Sequence, residues 1–289
     1  MFSCNVSLSR DTTPLSAPVF IIHCSTLIRE MSLALCVPVF RLTLNDESRR
    51  NALSHAMLAE ISAALTDVEA DDKVRVIVIA ANGPAFSAGH DLKEITAARS
   101  SEDGGRSEYE GLFSACASVM QSIVGCPTPV IAEVATVATA AGCQLVASCD
   151  LALAADTARF ATPGVNIGLF CSTPMVALSR NVSHKHAMEM LLTGDMISAN
   201  RAEQIGLVNR VLPPEDLTSG TMALAERIAQ KSTMTVAKGK RAFYAQSPMP
   251  LAEAYSYTSR VMVDNILKQD AKEGIGAFIE KRNPQWLDK

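Results

Sequence analysis

Residues 76–80, 129–134 and 150–155 are short, nearly unbroken apolar runs. Each of the first two leads into a turn of small or polar residues and then a helical pattern. A strand that is apolar at every position, rather than at alternate ones, has to be covered on both faces. Parallel strands in turn need a crossover, usually a helix. The order strand, helix, strand, helix, strand fills the first two thirds, and helical patterns dominate after 185. That restricts the chain to an α/β architecture with a helical C-terminal extension. With 289 residues, 48% of them apolar, it has enough material for one large core, or one domain plus an extension.

The elements around these runs follow local rules. Segments 26–31 and 36–44 read as strands, the second alternating Val39, Arg41, Thr43 against Phe40, Leu42, Leu44. Asn45 to Ser48 is turn chemistry. Ser54 caps a helix carrying Met57, Leu58, Ile61, Leu65 and Val68 at helical spacing. Asp91 and Glu94 have the spacing of a capping pair. The polar, Gly-containing stretch 99–108 predicts a mobile excursion, followed by a helix over 109–124 ended by Gly125 and Pro127. A helix over 142–149 follows the small-residue turn after the strand at 129–134. Beyond 185 the one strand-like piece is 207–212. Residues 1–24 are rich in Ser, Thr and Cys, with Arg10 and a single acid, Asp11. They read as an extension, with a transit peptide as the alternative. The expected division is extension 1–24, core 25–212 and helical region 213–289.

Composition removes several function classes. Net charge is −4, no Lys/Arg block occurs, and one Trp and four Tyr leave no basic, aromatic face for nucleic acid. The eight cysteines form no Cys-x-x-Cys pair, and several lie inside apolar runs, as buried free thiols in a reducing compartment do. His184 and His186 have no ligand cluster beside them, so no metal is expected. No apolar stretch reaches the roughly 18–20 residues of a membrane span.

Two loops carry the chemistry. Ala88-Gly89-His90-Asp91 follows the strand at 76–80, and Ala140-Ala141-Gly142-Cys143 follows that at 129–134. Each precedes a helix, and ligands in α/β sheets bind at the C-terminal ends of strands. If the loops meet, two backbone N–H groups converge on one oxygen at a positive helix end. Such a pair stabilises an oxyanion as charge develops on it. Small-residue turns before helices are usually only packing, so spacing alone is a weak signal.

The residues as a set are more specific. Arg50-Asn51-Ala52-Leu53-Ser54, Gly83 to Glu94, Pro129-Val130-Ile131-Ala132, Ala141-Gly142-Cys143-Gln144-Leu145, Cys149-Asp150, Glu189 to Asp195 and Glu273 to Arg282 together resemble the enoyl-CoA hydratase/isomerase, or crotonase, superfamily. The resemblance spans about 26–284. It implies a spiral of β-β-α turns with a C-terminal helical region used for trimerisation, trimers often pairing into hexamers. It implies an acyl-CoA thioester as substrate or ligand, with no separate cofactor. The oxyanion donors would be the N–H groups of His90 and Ala141. Arg50, Ala52, Leu53, Ala88, Asp91, Leu92 and Pro163 would line the coenzyme, and Phe278 and Lys281 would reach the adenine end of a neighbouring subunit's ligand. The implied address is cytoplasm in a bacterium and mitochondrial matrix in a eukaryote.

Departures from the family pattern matter as much. The hydratase acids fall at Gln144 and Gly164, and the isomerase acid at Gly164 or Ser172, so all three stations are neutral. An amide, a hydrogen atom and an unactivated hydroxyl do not perform general acid–base catalysis near neutral pH. Restoring glutamates at 144 and 164 together is the expected route to hydratase activity. Ala135-Thr136 replaces a polar residue and a glycine, so either the turn differs or Thr136 is strained. Ala141 replaces a frequent glycine but keeps its N–H. Glu133 faces either cavity or solvent. Cys171 and Ser172 lie at a predicted helix start, where a thiol can be acidified. The readings are an enoyl-CoA hydratase/isomerase-like enzyme with substituted acids, a non-catalytic acyl-CoA sensor, and a thioester hydrolase or decarboxylase.

Overall fold

The computed structural model describes residues 28–29 and 39–289. The extension at 1–24 and most of the first predicted strand lie outside the described residues. Strand β1 (Ile28–Arg29) pairs antiparallel with β2 (Val39–Leu44). From β2 the main sheet runs in parallel through β3 (Val76–Ala81), β5 (Val130–Val134), β7 (Leu151–Ala155) and β10 (Arg210–Leu212).

The apolar runs are unbroken because both faces of this sheet are covered. Leu42, Leu44, Ile77 and Ile79 join one cluster with Met57, Leu58 and Ile61 of helix α1 (His55–Glu69) and Cys116, Val119 and Ile123. Val39, Val76, Val78 and Ile131 point the other way, onto Leu217, Leu224 and Ala225 of α8 (Pro214–Ala229). Each fully buried Ile or Leu contributes about 1.5–3 kcal/mol. Glu133 shares the α8 face. It is buried, bonds Arg41 Nη1 at 2.7 Å and accepts from Thr218 Oγ1 at 2.8 Å. It therefore faces neither cavity nor solvent.

A second sheet carries β4 (Ala85–Ser87), β6 (Val137–Thr139) and β8 (Arg159–Ala161) in parallel, with β9 (Ile197–Ser198) antiparallel at one edge. Strands β3, β5 and β7 of the main sheet are each followed by a short strand of this sheet, then by helix. The units are β3-β4 with α2 (Leu92–Ala98) and α3 (Arg106–Gly125), then β5-β6 with α4 (Ala141–Ser148), then β7-β8 with a 3-10 helix at Pro163–Ile167. That is the implied β-β-α spiral. No strand is expected from the sequence at 85–87, 137–139 or 159–161, nor at β9. Strands of two or three residues are too short for alternation to show.

Several boundaries need correction. Residues 99–105 are not an open excursion but a hydrogen-bonded turn, in which Asp103 accepts from the N–H groups of Gly105 and Ser107. Helix α3 accordingly starts at Arg106. Strand β10 starts at Arg210. The C-terminal third is α5 (Pro174–Asn181), α6 (His184–Thr193), α7 (Ala199–Gln204), α8, α9 (Thr233–Gln246), α10 (Leu251–Ile266) and α11 (Gln269–Glu280). Helix α9 is locked to the core by Lys240, whose ammonium meets Asp150 Oδ2 at 2.7 Å and donates to the carbonyls of Ile123 and Thr128. Tyr244 donates to the other oxygen of Asp150 at 2.9 Å.

Candidate active site

The C-terminal ends of β4, β6 and β8 lie side by side, and there the two loops meet. Gly89 has φ +90°; a side-chain carbon on it would lie 2.9 Å from Ala140 Cβ and 3.3 Å from Ala141 N. A carbon on Gly142 would lie 2.7 Å from Ser87 Cβ and overlap Ser87 O outright. Glycine is required at both positions because two backbones touch. Among the described residues, neither the His90 nor the Ala141 N–H donates to another group of the fold. Ala141 is the first residue of α4, whose leading N–H groups have no helical partner.

The turn before α4 holds strain that the sequence does not advertise. Ala140 has φ 50°, ψ −119°, a conformation suited to glycine and costing other residues about 1–3 kcal/mol. Its N–H donates to Ala161 O at 3.0 Å, and its own carbonyl receives Gln144 N–H at 3.0 Å. Thr136, by contrast, is outside the left-handed region, so the 135–136 turn carries no strain of that kind.

The loop bearing His90 is laced to the segment at 50–53. Leu53 N donates to Gly89 O at 2.8 Å, and Ala88 N donates to Arg50 O at 3.0 Å. The His90 ring adds a third tie, with Nδ1 3.1 Å from Leu53 O. A carbonyl only accepts, so Nδ1 carries the proton and Nε2 presents its lone pair. The edge-on ring of Phe113 packs on the imidazole at a centroid distance of 5.4 Å. Burial lowers the His90 pKa; the bond to Leu53 opposes this, His55 adds to it and Glu94 opposes it. Asp91 is buried and caps α2 through Lys93 N at 2.8 Å, as expected. Glu94 reaches instead to His55 N at 3.2 Å, so the reciprocal half of the capping pair does not form.

Buried polar atoms without partners mark this region. Among the described residues there are six, and three of them, His90 Nε2, Gln144 Oε1 and Thr162 Oγ1, sit just beyond β4, β6 and β8. Native folds leave few such atoms unpaired, and three at one end of one sheet call for an explanation. Thr162 carried no signal in the sequence.

The chain is close-packed around Gly164. Gly164 N–H donates to Cys171 Sγ at 3.3 Å. A side-chain carbon on Gly164 would lie 2.8 Å from Leu169 O and 3.0 Å from Cys171 Sγ, so a glutamate there requires the 164–171 segment to move. Cys171 is not acidified: burial raises its pKa, against the bond from Gly164. Helix α5 starts only at Pro174. Ser172 is exposed and donates to Phe170 O at 3.3 Å. Cys143 is a core thiol, pushed up to about 12 by burial.

Ala52 and Leu53 are buried, Arg50, Ala88 and Leu92 are exposed, and Pro163 is half-buried beside Gly164. Phe278 and Lys281 are exposed at the end of α11, joined to none of these side chains by a hydrogen bond. A cleft of about 420 Å³ opens between the start of α1, α2 and α3, lined by His55, Glu94, Glu108, Tyr109 and Leu112 among others.

Sequence profiles decide the family: that described as "Enoyl-CoA hydratase/isomerase" matches residues 37–289. The chain belongs to the enoyl-CoA hydratase/isomerase family. Mouse mitochondrial enoyl-CoA hydratase domain-containing protein 3 is 51% identical over 246 residues, covering 85% of this chain and 80% of that protein. The crystal structure of the human protein of the same name is 46% identical, with a TM-score of 0.83 over 90% of this chain and 98% of that one. An enoyl-CoA hydratase structure from Mycobacterium smegmatis is 50% identical, with a TM-score of 0.82 over 86% and 95%. The α/β spiral with its C-terminal helices is therefore the crotonase fold.

Proposed function

We propose that this enoyl-CoA hydratase/isomerase family member binds an acyl-CoA thioester, and that its carbonyl oxygen is held by the N–H groups of His90 and Ala141. The observation that carries this reading is the contact of Gly89 with Ala140 and Ala141, which brings two undonated N–H groups to adjoining strand ends. Charge appears on the oxygen as an enolate or tetrahedral intermediate forms, and losing one such donor typically costs about 10²–10³ in rate. Arg50, Ala52, Leu53, Ala88, Asp91, Leu92 and Pro163 line the coenzyme in this reading. Phe278 and Lys281 serve the ligand of a neighbouring subunit.

The reaction is not standard hydration, because Gln144, Gly164 and Ser172 stand where the acids belong. Enolate chemistry and thioester decarboxylation or hydrolysis use the same oxyanion site. A non-catalytic acyl-CoA sensor is the second reading, favoured by the packing that closes station 164. Exposed apolar residues on α10 and α11, among them Met262, Val263, Ile266, Phe278 and Ile279, support a homotrimer or a dimer of trimers. The mitochondrial relatives support a matrix address in a eukaryote; in a bacterium the address is cytoplasmic, and a role in fatty acid metabolism goes with the thioester reading.

The test is a panel of acyl-CoA thioesters, crotonyl-CoA included, followed by calorimetry and by turnover. Binding with turnover supports the enzyme, and binding without turnover the sensor. Absence of CoA binding across the panel sinks both.

A further inference from the structure

We propose that the His90 imidazole is a catalytic residue of this site, its Nε2 serving as the proton acceptor that the missing carboxylates would otherwise supply. The inference rests on the thioester reading above. Three observations carry it. The ring is held in one tautomer by Nδ1–H donated to Leu53 O. Its Nε2 is shielded and has no partner among the described residues. The same residue's N–H is the proposed donor to the thioester oxygen, so the ring and the reacting carbonyl share one anchor point.

An unpaired buried acceptor is unfavourable in the free protein and becomes paired when a donor arrives. Phe113, whose ring packs at right angles to the imidazole, is itself 40% exposed, so this side of the ring borders the surface. The groups whose charge acts on the ring are His55 at the start of α1, which faces Glu108 of α3 at 3.7 Å, and Glu94 within α2; the adjoining Asp91 caps α2 and faces Arg49 at 3.7 Å. Helix α4 carries no Asp, Glu, His, Lys or Arg. Burial keeps the ring neutral near pH 7, the form that accepts a proton.

The step balances without another reactant. Nε2 takes a proton from carbon 2 of the acyl group. The C–H pair becomes the carbon–carbon double bond of the enolate, and the carbonyl π pair moves onto the oxygen held by the two N–H groups. The imidazolium returns a proton to carbon 2, or to carbon 4 in an unsaturated chain. In D2O the imidazolium exchanges before returning, so deuterium enters the thioester.

The experiment follows deuterium uptake at carbon 2 of acetyl-, butyryl- and octanoyl-CoA by mass spectrometry, with calorimetric binding of each. His90→Asn keeps the backbone N–H and an amide donor for Leu53 O but lacks Nε2. The expected result is exchange by the wild type, rising with pH to a plateau through an apparent pKa below 6.5. In His90→Asn, exchange falls by about 10²–10⁴ while affinity changes by less than about threefold. Nitrogen NMR of labelled histidines, assigned against His90→Asn, is expected to show a neutral Nδ1–H ring at pH 7. Binding without exchange, equal exchange in the variant, a pH-independent rate, or a charged ring at pH 7 overturns the proposal for His90 alone. Failure of every thioester to bind overturns the reading it rests on.

Discussion

Replacing Gly142 with alanine tests the join between the two loops. Carbon–carbon contacts are comfortable at about 3.5–4.0 Å. The new methyl would stand 2.7 Å from Ser87 Cβ and 2.8 Å from Ser87 C, roughly 1 Å short of that, and would overlap Ser87 O. Backbone cannot rotate away as a long side chain does, so either the start of α4 or the end of β4 moves by about 1 Å. Overpacking of this kind costs about 1–3 kcal/mol, occasionally more. The same shift separates Ala141 N from His90 N, and a displacement of about 1 Å in a catalytic array costs on the order of 10² in rate. Denaturant unfolding should show a loss of at least about 1 kcal/mol, and thioester affinity or exchange should fall with it. Gly142→Ala with wild-type stability and unchanged thioester binding would refute the claim that these backbones are in forced contact.

Other consequences are equally measurable. Ala140→Gly should relieve strain of about 1–3 kcal/mol while losing about 0.4–1 kcal/mol to unfolded-chain entropy, a net gain of roughly 0–2.6 kcal/mol in unfolding experiments; a loss would show that the turn is unstrained. Lys240→Met strips Asp150 of its ammonium partner and should destabilise by about 3 kcal/mol or more, with α9 released first in hydrogen exchange. Gln144→Glu combined with Gly164→Glu should fail to restore crotonyl-CoA hydration, because Leu169 O and Cys171 Sγ occupy the space at 164; recovered hydration contradicts that packing. The lowered His90 pKa means the unfolded chain binds the extra proton near pH 6.5. Its contribution is thus intact above 6.5 and declines as pH falls below it, a slope that His90→Asn should remove from unfolding midpoints measured between about pH 5 and 7.5.

Much of this was legible from residue order. Continuous apolar runs announced a sheet covered on both faces, and Ser54 and Asp91 cap the helices expected of them. The small-residue turns at 88–91 and 140–143 located the meeting point. What escaped was set by distance or by backbone angle. Strands 85–87, 137–139 and 159–161 are shorter than any readable alternation. Glu133 finds Arg41 across 92 positions, a pairing that only the β2–β3–β5 register creates. Of the two alternatives at Ala135-Thr136, a different turn or a strained Thr136, strain is absent there and sits at Ala140, since nothing in an alanine betrays a positive φ. Gly164 looked like a vacancy that a glutamate could fill, but the fold-back of Leu169 and Cys171 closes it.

The claim at the centre is that two backbone N–H groups polarise a thioester carbonyl. Isotope-edited infrared spectroscopy of a bound acyl-CoA carrying 13C at its thioester carbonyl reports on that directly. The account predicts a C=O stretch moved to lower frequency on binding, with the shift diminished in Gly142→Ala. A bound thioester whose carbonyl keeps its solution frequency would contradict it.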